Sequence, residues 1–293
     1  MFIHSFIYRT MQIEHPLLEL KDIVFSYTEI NGKSRNKPLL EIDELILCPG
    51  DRIGVVGDNG SGKSTIVRII LGLQTPKGTV NLFGKRASWG NHYPQLGYIG
   101  DPSFCPGETG LPTGVSVSKL LDGFKAICNL EEKEYRDFEE GLGLNKFLNK
   151  NVSNLSNGER KKLMIFLALT KQPRLLIADE ATDGLDDQSK AFMIEKLEML
   201  LESSMLSLLW ISHQYYEVAR LTNTVYKLNE GKLISADQKR FDCEIHTYPE
   251  ESICGTYKNL SSKGWLEIVS KIYGSPEISR FDIKGSRVSR NHQ

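Results

Sequence analysis

Residues 52–65 read "RIGVVGDNGSGKST". An apolar run of buried-strand type gives way to a glycine-rich loop. From Lys63 a segment follows in which Ile66, Ile69, Ile70 and Leu73 recur at helical spacing. A chain that passes from strand to helix through Gly57, Asp58, Asn59, Gly60, Ser61 and Gly62 must turn tightly, and glycine lets its backbone amides face inward. The spacing is G-x-x-x-x-G-K-[ST], with Gly57, Gly62, Lys63 and Ser64 at the fixed positions. Amides of residues 59–64 can approach phosphate oxygens, and the helix start adds its partial positive charge. Lys63 then reaches the β- and γ-phosphates of a nucleotide, while the Ser64 hydroxyl, with Thr65 beside it, can ligate Mg²⁺.

A cradle alone only binds. "RLLIADE" (174–180) supplies an apolar strand ending in two acids. Asp179 is placed to orient Mg²⁺, directly or through water. Glu180, one residue on, points to the other side of a pleated strand end and is placed to polarise water.

The remaining pattern alternates. Strands are expected at 17–27, 39–48, 52–57, 174–178 and 207–212, with a hairpin over 224–235 turning at Asn229-Glu230-Gly231. Helical, charged segments fill 116–150, and further helices are expected over 159–171 and 189–202. This implies an α/β fold: a P-loop core with a mainly parallel sheet, an N-terminal antiparallel β region and a helical insert at about 102–170.

Composition narrows the function classes. The 293-residue chain is 40% hydrophobic and 25% charged, which suits one large domain, or one with an appendage. A formal charge of −1 supplies no global field toward nucleic acid or an anionic membrane. Five scattered cysteines without a CxxC pair read as reduced thiols. "MFIHSFIYRTMQ" is too short and interrupted for a secretory signal, and Met11 could equally be the start. The longest apolar run, "LMIFLAL" (163–169), is far below the roughly 20 residues a spanning helix needs. Any membrane part is therefore expected on another chain.

Residues 155–160, "LSNGER", run into "KKLMIFLAL". Ser156 and Asn157 are good N-cap types, so a helix beginning near Gly158 aims free N–H groups outward. Read alone, this is a capped helix. The order of elements adds more: P-loop, helical insert, L-S-x-G-[EQ], apolar-D-E, "DGLD" (183–186), then a strand ending at His213. Over about residues 17–235 this order resembles the ATP-binding cassette ATPases. In that family Leu155, Ser156 and Gly158 stand in the signature, usually L-S-G-G-Q. Asn157 and Glu159 depart from that form but keep a small polar residue and an acceptor.

The resemblance implies that this helix end binds the γ-phosphate of ATP held by a second copy, completing an ATP sandwich. It also implies that Tyr27 stacks on adenine, the alternative being core packing. Asp186 is similar to the aspartate that spans the dimer interface, and His213 to the switch histidine that contacts the γ-phosphate and Glu180. The implied activity is ATP hydrolysis that powers a transporter through a separate integral membrane subunit. The chain would sit peripherally on the cytosolic face, with ATP and Mg²⁺ as cofactors and no specific nucleic acid. "DGLD" in a compact chain leans toward exporter subunits. The alternative is a soluble non-transport member acting in DNA repair or translation, but repair types carry long coiled-coil inserts and translation types usually two cassettes. A small-molecule P-loop kinase gives no reason for "LSNGER".

Where the family's corresponding strand ends in a glutamine, "LGYIGD" (96–101) ends in Asp101. Asp101 is thus a candidate metal contact, its other reading being a turn residue before Pro102. The breakers that follow, "PSFCPGETGLPTG", are expected to form a surface loop that couples to a partner. Residues 1–16 are read as an N-terminal extension. Residues 236–293 are read as a C-terminal extension with a helix over 263–273 and a disordered basic tail over 280–293.

Overall fold

The computed structural model describes residues 15–27, 37–88, 94–101, 111–112, 114–203 and 206–235, with the backbone of 241–248, 255–260 and 280–288. Ten strands form one sheet: β1 (Leu18–Phe25), β2 (Leu40–Leu47), β3 (Arg52–Val56), β4 (Lys77–Leu82), β5 (Lys85–Arg86), β6 (Leu96–Ile99), β7 (Leu175–Asp179), β8 (Ser207–Ile211), β9 (Thr224–Asn229) and β10 (Lys232–Ser235). Their order is β5-β4-β1-β2-β10-β9-β3-β8-β7-β6. From β9 to β6 every pairing is parallel, whereas β5, β4, β1 and β2 pair antiparallel. The expected division into a parallel core and an N-terminal antiparallel region is what forms.

Side-chain chemistry accounts for the division. β7 and β8, "LLIAD" and "SLLWI", are buried at every position, the near-continuous apolar run of a strand covered on both faces. β1 instead alternates, burying Leu18, Leu20, Ile23 and Phe25. Its alternation shifts at Asp22, which has a positive φ of 53°, and the register with β4 slips between Lys21 and Val24. Opposite lies Gly78, where a Cβ would stand 2.3 Å from the Asp22 carbonyl oxygen, so only glycine lets the two backbones meet. Strands β4 and β5 fall in a stretch to which the pattern reading assigns no element.

The helices are α1 (Lys63–Ile70), α2 (Val117–Cys128), α3 (Glu132–Gly141), α4 (Asn157–Thr170), α5 (Asp187–Ser203) and α6 (Tyr215–Leu221). α4 is the keystone of the helical insert, for it buries Leu163, Met164, Ile165, Phe166, Ala168 and Leu169. The Phe166 ring meets Tyr135 and Phe138 edge-on at 6.0 and 5.8 Å, and Phe124 at 6.4 Å. These rings tie α2 and α3 to the core that also holds Trp210 of β8.

The hairpin expected over 224–235 forms as β9 and β10, and "YYEVARL" before it, to which the pattern reading assigns no element, forms α6, burying Glu217, Val218 and Leu221 at helical spacing. One expectation changes. Residues 280–288 are not a disordered tail but strand β13 (Arg280–Val288). It pairs antiparallel with β11 (Phe241–Tyr248), which also pairs with β12 (Gly255–Leu260), in a separate sheet of order β12-β11-β13. The basic residues mask an alternation of strand type, with Phe281 and Ile283 spaced by two and register pairs such as Ile245↔Ile283. The helix expected over 263–273, the loop 102–110 and residues 1–14 lie outside the described residues.

Phe166→Ala is expected to destabilise the protein by about 3–5 kcal/mol, because a fully buried ring leaves a cavity that a rigid insert cannot refill. Phe166→Leu should lose less than half of that. Chemical denaturation of both variants measures the difference.

Candidate active site

β3, β8 and β7 lie side by side and parallel, with Val55 opposite Ile211 and Ile211 opposite Asp179. Their C-terminal ends therefore open onto one edge of the sheet, where α/β folds bind ligands. After β3, Gly60 and Gly62 take positive φ of 81° and 107°, and a Cβ on Gly57 would stand 2.8 Å from the Leu228 carbonyl oxygen. The loop wraps Lys63, only 6% exposed, whose Nζ donates to the Gly57 and Asp58 carbonyls at 2.8 and 3.2 Å. Asp58, Asn59, Gly60 and Ser64 are exposed, Ser61 and Gly62 half-buried, and Thr65 buried.

β7 ends in Asp179, buried at 6% exposure. Among the described residues its Oδ1 has no hydrogen-bond partner, while Ser64 hydrogen-bonds the carboxyl. Burial pushes the carboxyl up to about 6, an effect the Ser64 bond and Lys63 only partly oppose. An oxygen donor set with one buried lone-pair face open suits a hard divalent cation.

Glu180 follows with φ 47°. Its Oε1 lies 3.5 Å from Lys63 Nζ, and its Oε2 lies 2.8 Å from His213 Nδ1. A carboxylate only accepts, so Nδ1–H donates and Nε2 is turned away from Glu180. Lys63, Glu180 and His213 thus come from three separate segments of the chain, and the fold brings them together.

Neighbours that the sequence reading missed hold these loops. Gln214 Nε2 donates to Asp183 Oδ1 at 3.1 Å, and Asp183, Glu180 and His213 bring ligand-type atoms within 4.8 Å of one another. Beneath them Glu217, with no exposed surface, accepts from Thr182 Oγ1 at 2.7 Å, Ser212 Oγ at 3.3 Å and Tyr216 OH at 2.9 Å. Lys190 Nζ lies 2.9 Å from the same carboxylate. A buried charge is tolerable when so fully paired, and this one joins the residue before His213 to the turn after Glu180. A glutamate between Tyr216 and Val218, on the apolar face of a short helix, was the available signal.

The other expected residues are placed as follows. The Tyr27 ring keeps 39% exposure, stands edge-on to Phe25 at 5.0 Å, and its OH lies 3.4 Å from Thr65 Oγ1. It flanks the first turn of α1 and is not a core side chain. Ser156 N-caps α4 in a reciprocal capping box: it accepts from Glu159 N at 3.3 Å, and Glu159 accepts from Ser156 N at 3.0 Å. The Glu159 departure therefore preserves the cap. Ser156 is exposed and Gly158 half-buried. Asp186 pairs with Lys162 and accepts from Ser189 N at 2.9 Å, which holds its carboxyl well below the usual range and caps α5. Asp101 is exposed at the end of β6, where its charge acts on Lys161 together with those of Asp183, Asp179 and Glu180.

Asp179→Asn is expected to stabilise the nucleotide-free protein above pH 6. A carboxyl raised from 3.8 to about 6 holds its proton longer in the folded state, so its contribution to stability falls as pH rises from about 4 through 6. The full effect is on the order of 3 kcal/mol at about 1.4 kcal/mol per unit. Thermal unfolding of the two proteins at pH 4.5 and pH 7.5 reads the widening gap.

The family pattern described as ABC transporter matches residues 40–183. The chain is 26% identical over 238 residues to the "Zinc uptake system ATP-binding protein ZurA" of Listeria monocytogenes, covering 79% of this chain and 87% of that protein. It is 30% identical over 262 residues to the "Molybdenum import ATP-binding protein ModC" of Saccharophagus degradans, covering 84% of this chain and 70% of that protein. A solved structure of the ATP-binding subunit of an ABC transporter shares the fold with a TM-score of 0.58 at 24% identity, over 76% of this chain and 91% of that one. The chain belongs to the ABC transporter family, as an ATP-binding subunit whose ATP hydrolysis is coupled to transport.

Proposed function

We propose that two copies of this chain close on two molecules of MgATP and drive an integral membrane transporter subunit on a separate chain. The observation that carries this reading is the meeting of Lys63, Glu180 and His213 on one sheet edge, with Glu180 3.5 Å from the lysine and 2.8 Å from the histidine. In this reading the cradle amides and Lys63 hold the β- and γ-phosphates and stabilise charge in transfer. Ser64 and the open Oδ1 of Asp179 hold Mg²⁺, which neutralises the phosphate oxygens when bound. Glu180 aligns or deprotonates the attacking water, and His213 orients Glu180 through Nδ1 while Nε2 serves the γ-phosphate. Tyr27 offers an exposed ring to adenine. Ser156, exposed, and Gly158, half-buried, at the start of α4 serve the γ-phosphate held by the other copy.

No helix among the described residues is long and apolar enough to cross a membrane, which supports peripheral attachment to a partner on its cytosolic face. The zinc-uptake relative is matched over 87% of its length, so a compact chain is no mark of an exporter. With a net charge of −1, no nucleic-acid partner is expected.

Glu180→Gln should bind ATP as wild type does yet hydrolyse it at least ~10² more slowly, the size of a general-base contribution. Unchanged turnover in that variant would remove Glu180 from the mechanism. Asp101→Ala should raise the Mg²⁺ concentration needed for half-maximal ATPase rate by about threefold or more if its carboxylate serves the metal. An unaltered Mg²⁺ titration would leave it a turn residue.

A further inference from the structure

Glu180 carries its side chain at φ 47°, in the left-handed region that only glycine enters freely. Such a conformation in a non-glycine residue persists where the surroundings over-determine it. Here the Glu180 amide donates to the Ile211 carbonyl at 2.9 Å, and its carbonyl accepts from the Asp183 amide at 3.2 Å. The remaining restraint comes from Lys161, one turn into α4. Its Nζ donates to the Glu180 carbonyl at 2.7 Å and to the Asp183 carbonyl at 2.8 Å. One ammonium group therefore ties together the first and last residues of the tight turn on which the glutamate stands.

The contact is wider than one side chain. Gly158 lies three residues before Lys161, on the same helix face. A Cβ there would stand 2.9 Å from the Gly184 carbonyl oxygen. Lys162, four residues after Gly158, pairs with Asp186. The start of α4 thus rests on residues 180–186 at successive points. Lys161 is half-buried, and this burial lowers its pKa against the pull of Asp183, Asp179, Glu180 and Asp101. It is a desolvated donor, not a solvated surface charge.

We infer that Lys161 is a positioning residue for hydrolysis: from one turn into α4 it holds the Glu180 backbone so that the carboxylate stays aligned between Lys63 and His213. The inference rests on Glu180 being the hydrolytic carboxylate. A shift of α4 relative to the turn would move that carboxylate, and misalignment of a catalytic group by about 1 Å costs rate far more than it costs binding.

The test compares Lys161→Met, of similar length but without a donor, with Lys161→Arg, which keeps donors, in the full chain. For Lys161→Met the expected result is a kcat lower by about tenfold or more, the scale of a lost charge-assisted hydrogen bond. Its KM for ATP should stay within about twofold, with nearly unchanged Tm. Lys161→Arg should recover most of the lost kcat. A Lys161→Met protein with wild-type kcat would overturn the inference. So would one whose KM and Tm deteriorate along with kcat and which arginine does not rescue. Glu180→Gln assayed in parallel separates the two failures. A fully active Glu180→Gln protein removes the role of Glu180 and this inference with it. An inactive one beside a fully active Lys161→Met protein removes this inference alone.

Discussion

Everything at the active edge depends on the parallel pairing of β3, β8 and β7. Antiparallel neighbours would send the ends of these strands to opposite edges of the sheet. Parallel pairing puts all three C-terminal ends together, and register then sets their heights, with Val55, Ile211 and Asp179 in line. Parallel strands need long crossovers, so the residues that meet are separated by whole helices and by the insert. The strands hold this arrangement because they are apolar on both faces and have no stable alternative to burial.

Upon that edge, polar groups are arranged in two ways that oppose each other energetically. Some are fully satisfied: Glu217 is buried yet bonded by Thr182, Ser212, Tyr216 and Lys190, which locks the loop after β7 to the loop after β8. Others are left open, above all Asp179 Oδ1. A buried carboxylate raised to about 6 works against folding, and its presence makes sense at a site that must receive a cation. Stability conceded at the point of chemistry and recovered in the support beneath it is a common division in enzymes.

How much of this was legible depended on how local the signal was. The cradle could be read because its requirement is local: glycine φ at Gly60 and Gly62 and a lysine at the next position. Strands β7 and β8 could be read from their unbroken apolar runs. Ser156 was read correctly as a cap because a cap is a contact across three residues. Lys161 and Lys162 were invisible for the opposite reason. In "NGERKKLM" they look like a solvated helix face, and only the arrival of the 180–186 turn makes them a donor pair. Asp186 looked like an interface residue, yet inside its own chain it caps α5 and pairs with Lys162. Strand β13 was missed because Arg280, Lys284 and Arg287 make the segment resemble a charged tail until a partner strand is alongside.

By itself the sequence determined the glycine-rich turn between strand and helix, the acids at the end of an apolar strand, the signature order and hence the family. Each of these follows from steric permission or burial within a few consecutive residues. Only the tertiary structure decided which face of α4 meets the turn after Glu180. It also decided that Asp179 is buried with an open oxygen, and that Glu180 sits between Lys63 and His213. These are distances and desolvation between segments far apart in the chain, quantities that exist only once the parallel sheet has brought the segments together.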